Sequence, residues 1–190
     1  MDPKWETAAR RQPENGIMDQ GELFDRESQL YNANVFTHFF SLETSRAMRY
    51  QELFSIFLLD IDRPANDPAK ETSIREITQI ISHNLRNELR GTDLIGHLGK
   101  EIVVLLLHAG EEEISAIAQR IQDRIENFAF PLHLTGPSRR LTISIGAACF
   151  PKSGSTDSTL LANARLGLRK AQQCGGNCYA TVGDNPDGEE

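Results

Sequence analysis

Three groups of residues in this chain have the types and spacing to do chemistry. Asp60 and Asp62 close an apolar run, FLLDID, over residues 57–62. Carboxylates at the C-terminal edge of a buried strand suit a metal ion or a substrate, and suit solvated loop acids equally well. The second group lies on residues 90–107, RGTDLIGHLGKEIVVLLL, which read as strand, tight turn and strand. Gly99 supplies the turn and Lys100 and Glu101 stand at its tip. The run over 101–107 is apolar and seven long, as suits a strand buried on both faces. The third group, Arg90 and Asp93, sits just ahead of the first of these strands. Other reactive residues form no such constellation. Cys149, Cys174 and Cys178 are odd in number and lack zinc spacing; Cys174 and Cys178 flank Gly175-Gly176-Asn177, and free thiols in a reducing compartment are the expectation. The five histidines have no pair at metal-ligand spacing, and there is no phosphate loop or serine elbow.

The elements that must position these groups follow from periodicity. Helices are expected over 32–49, 69–89, from 111 onward and over 158–173. Strands are expected over 53–59, 93–98, 101–107, 140–150 and 177–182, with a short edge strand at 131–134. Glu111, Glu112 and Glu113 open a helix, where acids oppose the dipole favourably, so they read as a capping feature rather than a metal site. Residues 1–24 have no periodicity and are expected to be an arm, with a domain over 25–181 and a polar tail over 182–190. Helices alternating with strands around one antiparallel hairpin give an α/β sandwich with a central mixed sheet surrounded by helices. The chain has 190 residues, 39% of them apolar and 25% charged, enough for one domain with a real core. A net charge of −7 leaves no basic footprint for nucleic acid. No apolar stretch is long enough for membrane insertion, and the first residues have no signal-type apolar core, so a cytoplasmic location is expected.

Taken together, several segments resemble the GGDEF, or diguanylate cyclase-like, domain. Residues 25–36, DRESQLYNANVF, are a worn form of that family's opening motif, and FLLDID matches its first strand. Residues 90–107 match its inhibitory site and signature hairpin, and LTISIGAACFP over 141–151 matches a further strand. Residues 160–177 align with the closing helix and turn, so the likeness spans about 25–181. It implies a nucleotidyl-cyclase-like sandwich and, in intact members, a dimer that joins two GTP molecules using two metal ions held by strand and signature acids. Here the signature reads Leu98-Gly99-Lys100-Glu101-Ile102, one glycine short, with an ammonium where the metal-binding acid belongs. Asp60 is retained. Arg75 stands in place of an acid near the substrate hydroxyl, Gln172 in place of a phosphate-binding lysine, and Gly176 in place of an arginine. The guanine-binding loop around 63–68 is shortened. The resemblance therefore implies a degenerate domain with no catalytic residue set, no metal and no cofactor.

The family's feedback site is an R-x-x-D ahead of the signature that binds the product, cyclic di-GMP. Arg90 and Asp93 occupy it, and Arg120 falls where a second ligand arginine is found. The chemistry suits guanine, since an arginine fork donates to O6 and N7 while a carboxylate accepts from N1–H and the exocyclic amine. Arg120-Ile121-Gln122-Asp123 is a second R-x-x-D, of the kind composition alone produces. The expectation is an inactive cyclic di-GMP receptor that relays its signal to an unidentified protein partner, with room for a homodimer. The alternatives are a nucleotide-independent interaction or dimerisation module, and a residual nucleotidyl transferase using Asp60 and Glu101.

Overall fold

A computed structural model describes residues 23–25, 28–62, 71–131 and 140–182. The elements run α1 (Ala33–Tyr50), β1 (Phe54–Asp62), α2 (Glu71–Glu88), β2 (Leu94–Leu98), β3 (Glu101–Leu107), α3 (Glu111–Glu126), β4 (Thr142–Phe150), α4 (Asp157–Gln173) and β5 (Tyr179–Thr181). The five strands form one mixed sheet in the order β2-β3-β1-β4-β5, antiparallel except for the β4–β5 pair. The expected α/β sandwich is present. Residues 132–134 of the expected edge strand, most of the arm and the tail from 183 fall outside the described residues, and Pro131 belongs to no strand. Leu23 and Phe24 do belong to the described fold, since Phe24 stacks on Tyr31 at 4.8 Å between ring centres and residue 31 bridges to Gly96 at the β2 edge.

Strand alternation divides the apolar residues into two cores. Phe57 and Leu59 of β1, Ile102, Val104 and Leu106 of β3 and Ile143 and Ile145 of β4 face α2 and α3. Phe54, Ile56 and Leu58 of β1 and Val103 and Leu105 of β3 face α1 and α4 on the opposite side. With a side-chain period of two, neither face of the inner strands can be polar, which explains the unbroken apolar runs in the sequence. The helices end where local chemistry stops them. Asn32 caps α1 through its side chain at 3.0 Å from the Val35 amide, and Gln51 closes it in the left-handed region. Glu113 accepts from the Gly110 amide at 2.8 Å, so the acid triplet that opens α3 includes a capping residue.

Where α4 crosses the sheet there is no room for side chains. A Cβ at Gly146 would come within 2.0 Å of the Ala164 carbonyl oxygen and 2.2 Å of the Leu168 nitrogen. A Cβ at Gly167 would come within 2.4 Å of the Ala180 carbonyl oxygen. This contact of backbone on backbone brings the polar face of α4 down to the ends of β1 and β3.

Candidate functional site

β2 and β3 are joined by Gly99 and Lys100 alone, with Leu98 paired to Glu101. Gly99 has φ of 68°, a region that glycine enters without a Cβ clash, as it does at the first central position of a type II′ hairpin turn. Lys100 is exposed and lines a cleft of about 430 Å³ together with Asp25, Asp60, Arg75 and His97. His97 is half-buried, and its backbone N–H donates to the Tyr31 carbonyl at 2.9 Å. Burial pushes the His97 imidazole below its ordinary range, against an opposing pull from the Asp25 carboxylate.

The acids near this cleft are already engaged. Asp60 and Asp62 were expected at the C-terminal edge of the first strand, and β1 runs through Asp62. Pleating then places them on the α4 side, in phase with Leu58. Asp60 accepts from the Gln172 side-chain amide at 3.0 Å and from the Ile61 backbone amide at 2.9 Å. Asp62 accepts from Thr142 at 2.9 Å, from Ser144 at 2.6 Å and from the Asn177 backbone amide at 2.7 Å. Glu101, out of phase with the core residue Ile102, receives Arg165 of α4 at 3.0 Å from both Nε and a terminal guanidinium nitrogen. Arg165 and Gln172 are seven residues apart, two turns of one helix face, and together they take up Glu101 and Asp60. Sequence reasoning missed this pair, because the helix face was legible while the strand phase that turns both acids toward it was not. Gly176, with φ of 81°, packs against Asp62 so closely that a Cβ would lie 2.8 Å from its carboxyl carbon.

Against a divalent cation, such as the signature of intact domains holds, this donor set does not fit. A hard cation needs several carboxylate oxygens converging on one point. Here one acid is held by a glutamine, the next by two hydroxyls and an amide, the third by an arginine, and the turn itself presents an ammonium. Among the described residues no group of three or more His, Cys, Asp or Glu is placed to hold a metal ion.

The Arg90 turn is arranged differently. Asp93 is half-buried and accepts from the Arg90 backbone amide at 2.9 Å and from the Leu107 amide at 3.3 Å. Two of its roughly four lone-pair sites remain. The Arg90 side chain is exposed and, among the described residues, has no hydrogen-bond or ion-pair partner. Arg120, on α3, reaches the end of α2, where it donates to the Glu88 carbonyl at 3.0 Å and pairs with the Glu88 carboxylate at 3.3 Å. Glu88 is only two residues from Arg90, so their Cα atoms are at most about 7.6 Å apart. Arg120 and Glu88 line a second cleft, of about 420 Å³, with Asp123 and Arg124. Asp123, the acid of the second R-x-x-D, thus lies beside Arg120 and not remote from it. Arg90 and Asp93 stand at the neighbouring turn rather than in the lining of that cleft.

A family model described as diguanylate cyclase, GGDEF domain, matches residues 22–178. Among curated proteins, the cyclic di-GMP phosphodiesterase NbdA of Pseudomonas aeruginosa is 26% identical over 157 residues, which is 81% of this chain and 20% of that protein. The chain spans less than half the length of each curated relative that it matches. Among solved structures, the coiled coil and GGDEF domain of DgcB from Caulobacter crescentus, in complex with c-di-GMP, has a TM-score of 0.74 at 14% identity, covering 85% of this chain and 87% of that one. The diguanylate cyclase SiaD of P. aeruginosa, in complex with its activator SiaC, also has a TM-score of 0.74, at 23% identity over 84% and 61% of the two chains.

Proposed function

This chain belongs to the GGDEF domain family, and we propose that it is a member without synthesis, a cyclic di-GMP receptor that passes its signal to a protein partner. Arg90, Asp93 and Arg120 would carry recognition, with Arg90 and Arg120 addressing guanine edges or phosphates and Asp93 accepting from the guanine N1–H side. The observation that carries this reading is the uncommitted Arg90 guanidinium on a turn whose Asp93 carboxylate is already oriented by two backbone amides. A guanidinium fork and a fixed carboxylate match the two halves of a guanine edge. Loss of synthesis is supported by Lys100 at the hairpin tip and by the engagement of Asp60 and Glu101 with α4.

Titration calorimetry of the purified protein with cyclic di-GMP tests the reading. Wild type should bind in the micromolar range or tighter. Arg90→Ala and Asp93→Asn should each weaken binding by about 1–3 kcal/mol, or roughly one to two decades in Kd, with unchanged circular dichroism. Asp93→Asn is preferred to alanine because it keeps one acceptor for the turn amides. Wild-type protein that fails to bind at high-micromolar ligand would remove the receptor. The second reading, a nucleotide-independent interaction module, would then stand on the exposed Phe39, Leu42, Met48, Tyr50 and Leu53 along and just after α1.

A further inference from the structure

Glu88 is a carboxylate in an unfavourable place. It is the last residue of α2, where the helix end carries partial negative charge and a basic residue would be favoured. It is held there by two arginines of α3. Arg124 has a second anchor, Asn84 at 3.1 Å, in addition to its 3.6 Å approach to the other Glu88 carboxylate oxygen. Arg120 has none: among the described residues all its partners are atoms of Glu88. The charges lining this cleft sum to zero, with Glu88 and Asp123 against Arg120 and Arg124. A ligand bearing two phosphates gains nothing from such a cleft until the balance changes.

Resting on the receptor reading, we propose that Glu88 is an internal competitor for the ligand: it holds Arg120 in the free protein and must surrender it before cyclic di-GMP can engage both arginines. The same carboxylate repels the incoming phosphates. Glu88 therefore sets the affinity of the site without touching the ligand favourably, and the threshold concentration at which the receptor responds is written into the end of α2. Arg124, with its own tie to Asn84, keeps its place when Glu88 lets go.

The test is a double-mutant cycle in cyclic di-GMP affinity. Glu88→Gln keeps size and hydrogen-bonding capacity while removing the charge. Breaking a half-exposed ion pair of this kind and lifting the repulsion should tighten binding about two- to fivefold. In an Arg120→Ala background the gain should shrink to the repulsive part alone, so the two substitutions are coupled and not additive. Glu88→Asp, which keeps the charge and shortens the reach, should change affinity less than Glu88→Gln. Nitrogen-15 spectra of the arginine Nε–H groups give a second readout, in which ligand added to wild type should move the Arg120 signal in the direction that Glu88→Gln moves it. Unchanged or weaker binding by Glu88→Gln, with wild type binding well, would overturn the competitor and show that Glu88 positions Arg120 instead. Failure of every variant to bind would be different in kind, removing the receptor reading and this inference with it.

Discussion

Incubated with GTP and either Mg²⁺ or Mn²⁺, the protein should form no cyclic di-GMP above a control without protein. The reason is cumulative. Removing one preorganised electrostatic contact from an active site typically lowers turnover by about 10²–10³. Here an ammonium faces the cleft at the hairpin tip, Gln172 occupies Asp60, and Arg165 occupies Glu101. Three such changes together should carry turnover below detection. Lys100→Asp on its own should restore nothing, because the two α4 contacts remain and the turn still has a single glycine. Product that accumulates in wild type and disappears in Asp60→Ala would show that synthesis survives.

Gly146→Ala should be the most destabilising of simple substitutions in the sheet. The added methyl meets backbone atoms of α4 at 2.0 Å and 2.2 Å, and neither can swing away as a side chain could. Overpacking of a core costs about 1–3 kcal/mol where side chains can adjust. With backbone on the far side, roughly 3 kcal/mol or more is expected, in the range reserved for severe core damage. For a domain of this size that lowers the thermal midpoint by about 6–12 °C. Gly91→Ala provides the comparison, since its Cβ would meet nothing within 4 Å. Melting curves of the three proteins decide the matter, and a Gly146→Ala midpoint within about 2 °C of wild type would mean that α4 is not held against β4 as described.

The fold was largely legible because its signals are local. Apolar runs of strand length, helical spacing of isoleucines on α2 and α3, and glycine at the hairpin tip each specify one element without reference to the others. Element ends were less so. β1 continues through Asp60 and Asp62, which suited a metal or substrate site and solvated loop acids equally because a carboxylate inside a strand is satisfied only by partners distant in sequence: Thr142, Ser144 and the Asn177 amide for Asp62, and Gln172 for Asp60. The site divided along the same line. Lys100 and the Arg90–Asp93 spacing can be read from one stretch of chain. The Arg165–Glu101 pair and the Arg120–Glu88 pair cannot, since each depends on which face of a helix meets which end of a neighbouring element. Arg120 was placed by its counting distance from the hairpin, whereas the residue that restrains it lies on another helix.

The position of β1 in the sheet bears on how this chain emerges from the ribosome. β1 is hydrogen-bonded on both sides, to β3 and to β4, and both partners are synthesised after it. Phe54 faces Leu107 on one side and Phe150 on the other. At about 5–20 residues per second, the strand Phe54–Asp62, which bears six buried residues in succession, waits roughly 5–20 seconds for its second partner. Until β3 is made a nascent chain carries an apolar segment with both edges unpaired, and from then until β4 is made one edge stays open to pairing with a neighbouring nascent chain. Holdase chaperones acting on the growing polypeptide, or slow codons placed after the β3 coding region, would bear on the yield of this protein through β1 more than through any other strand.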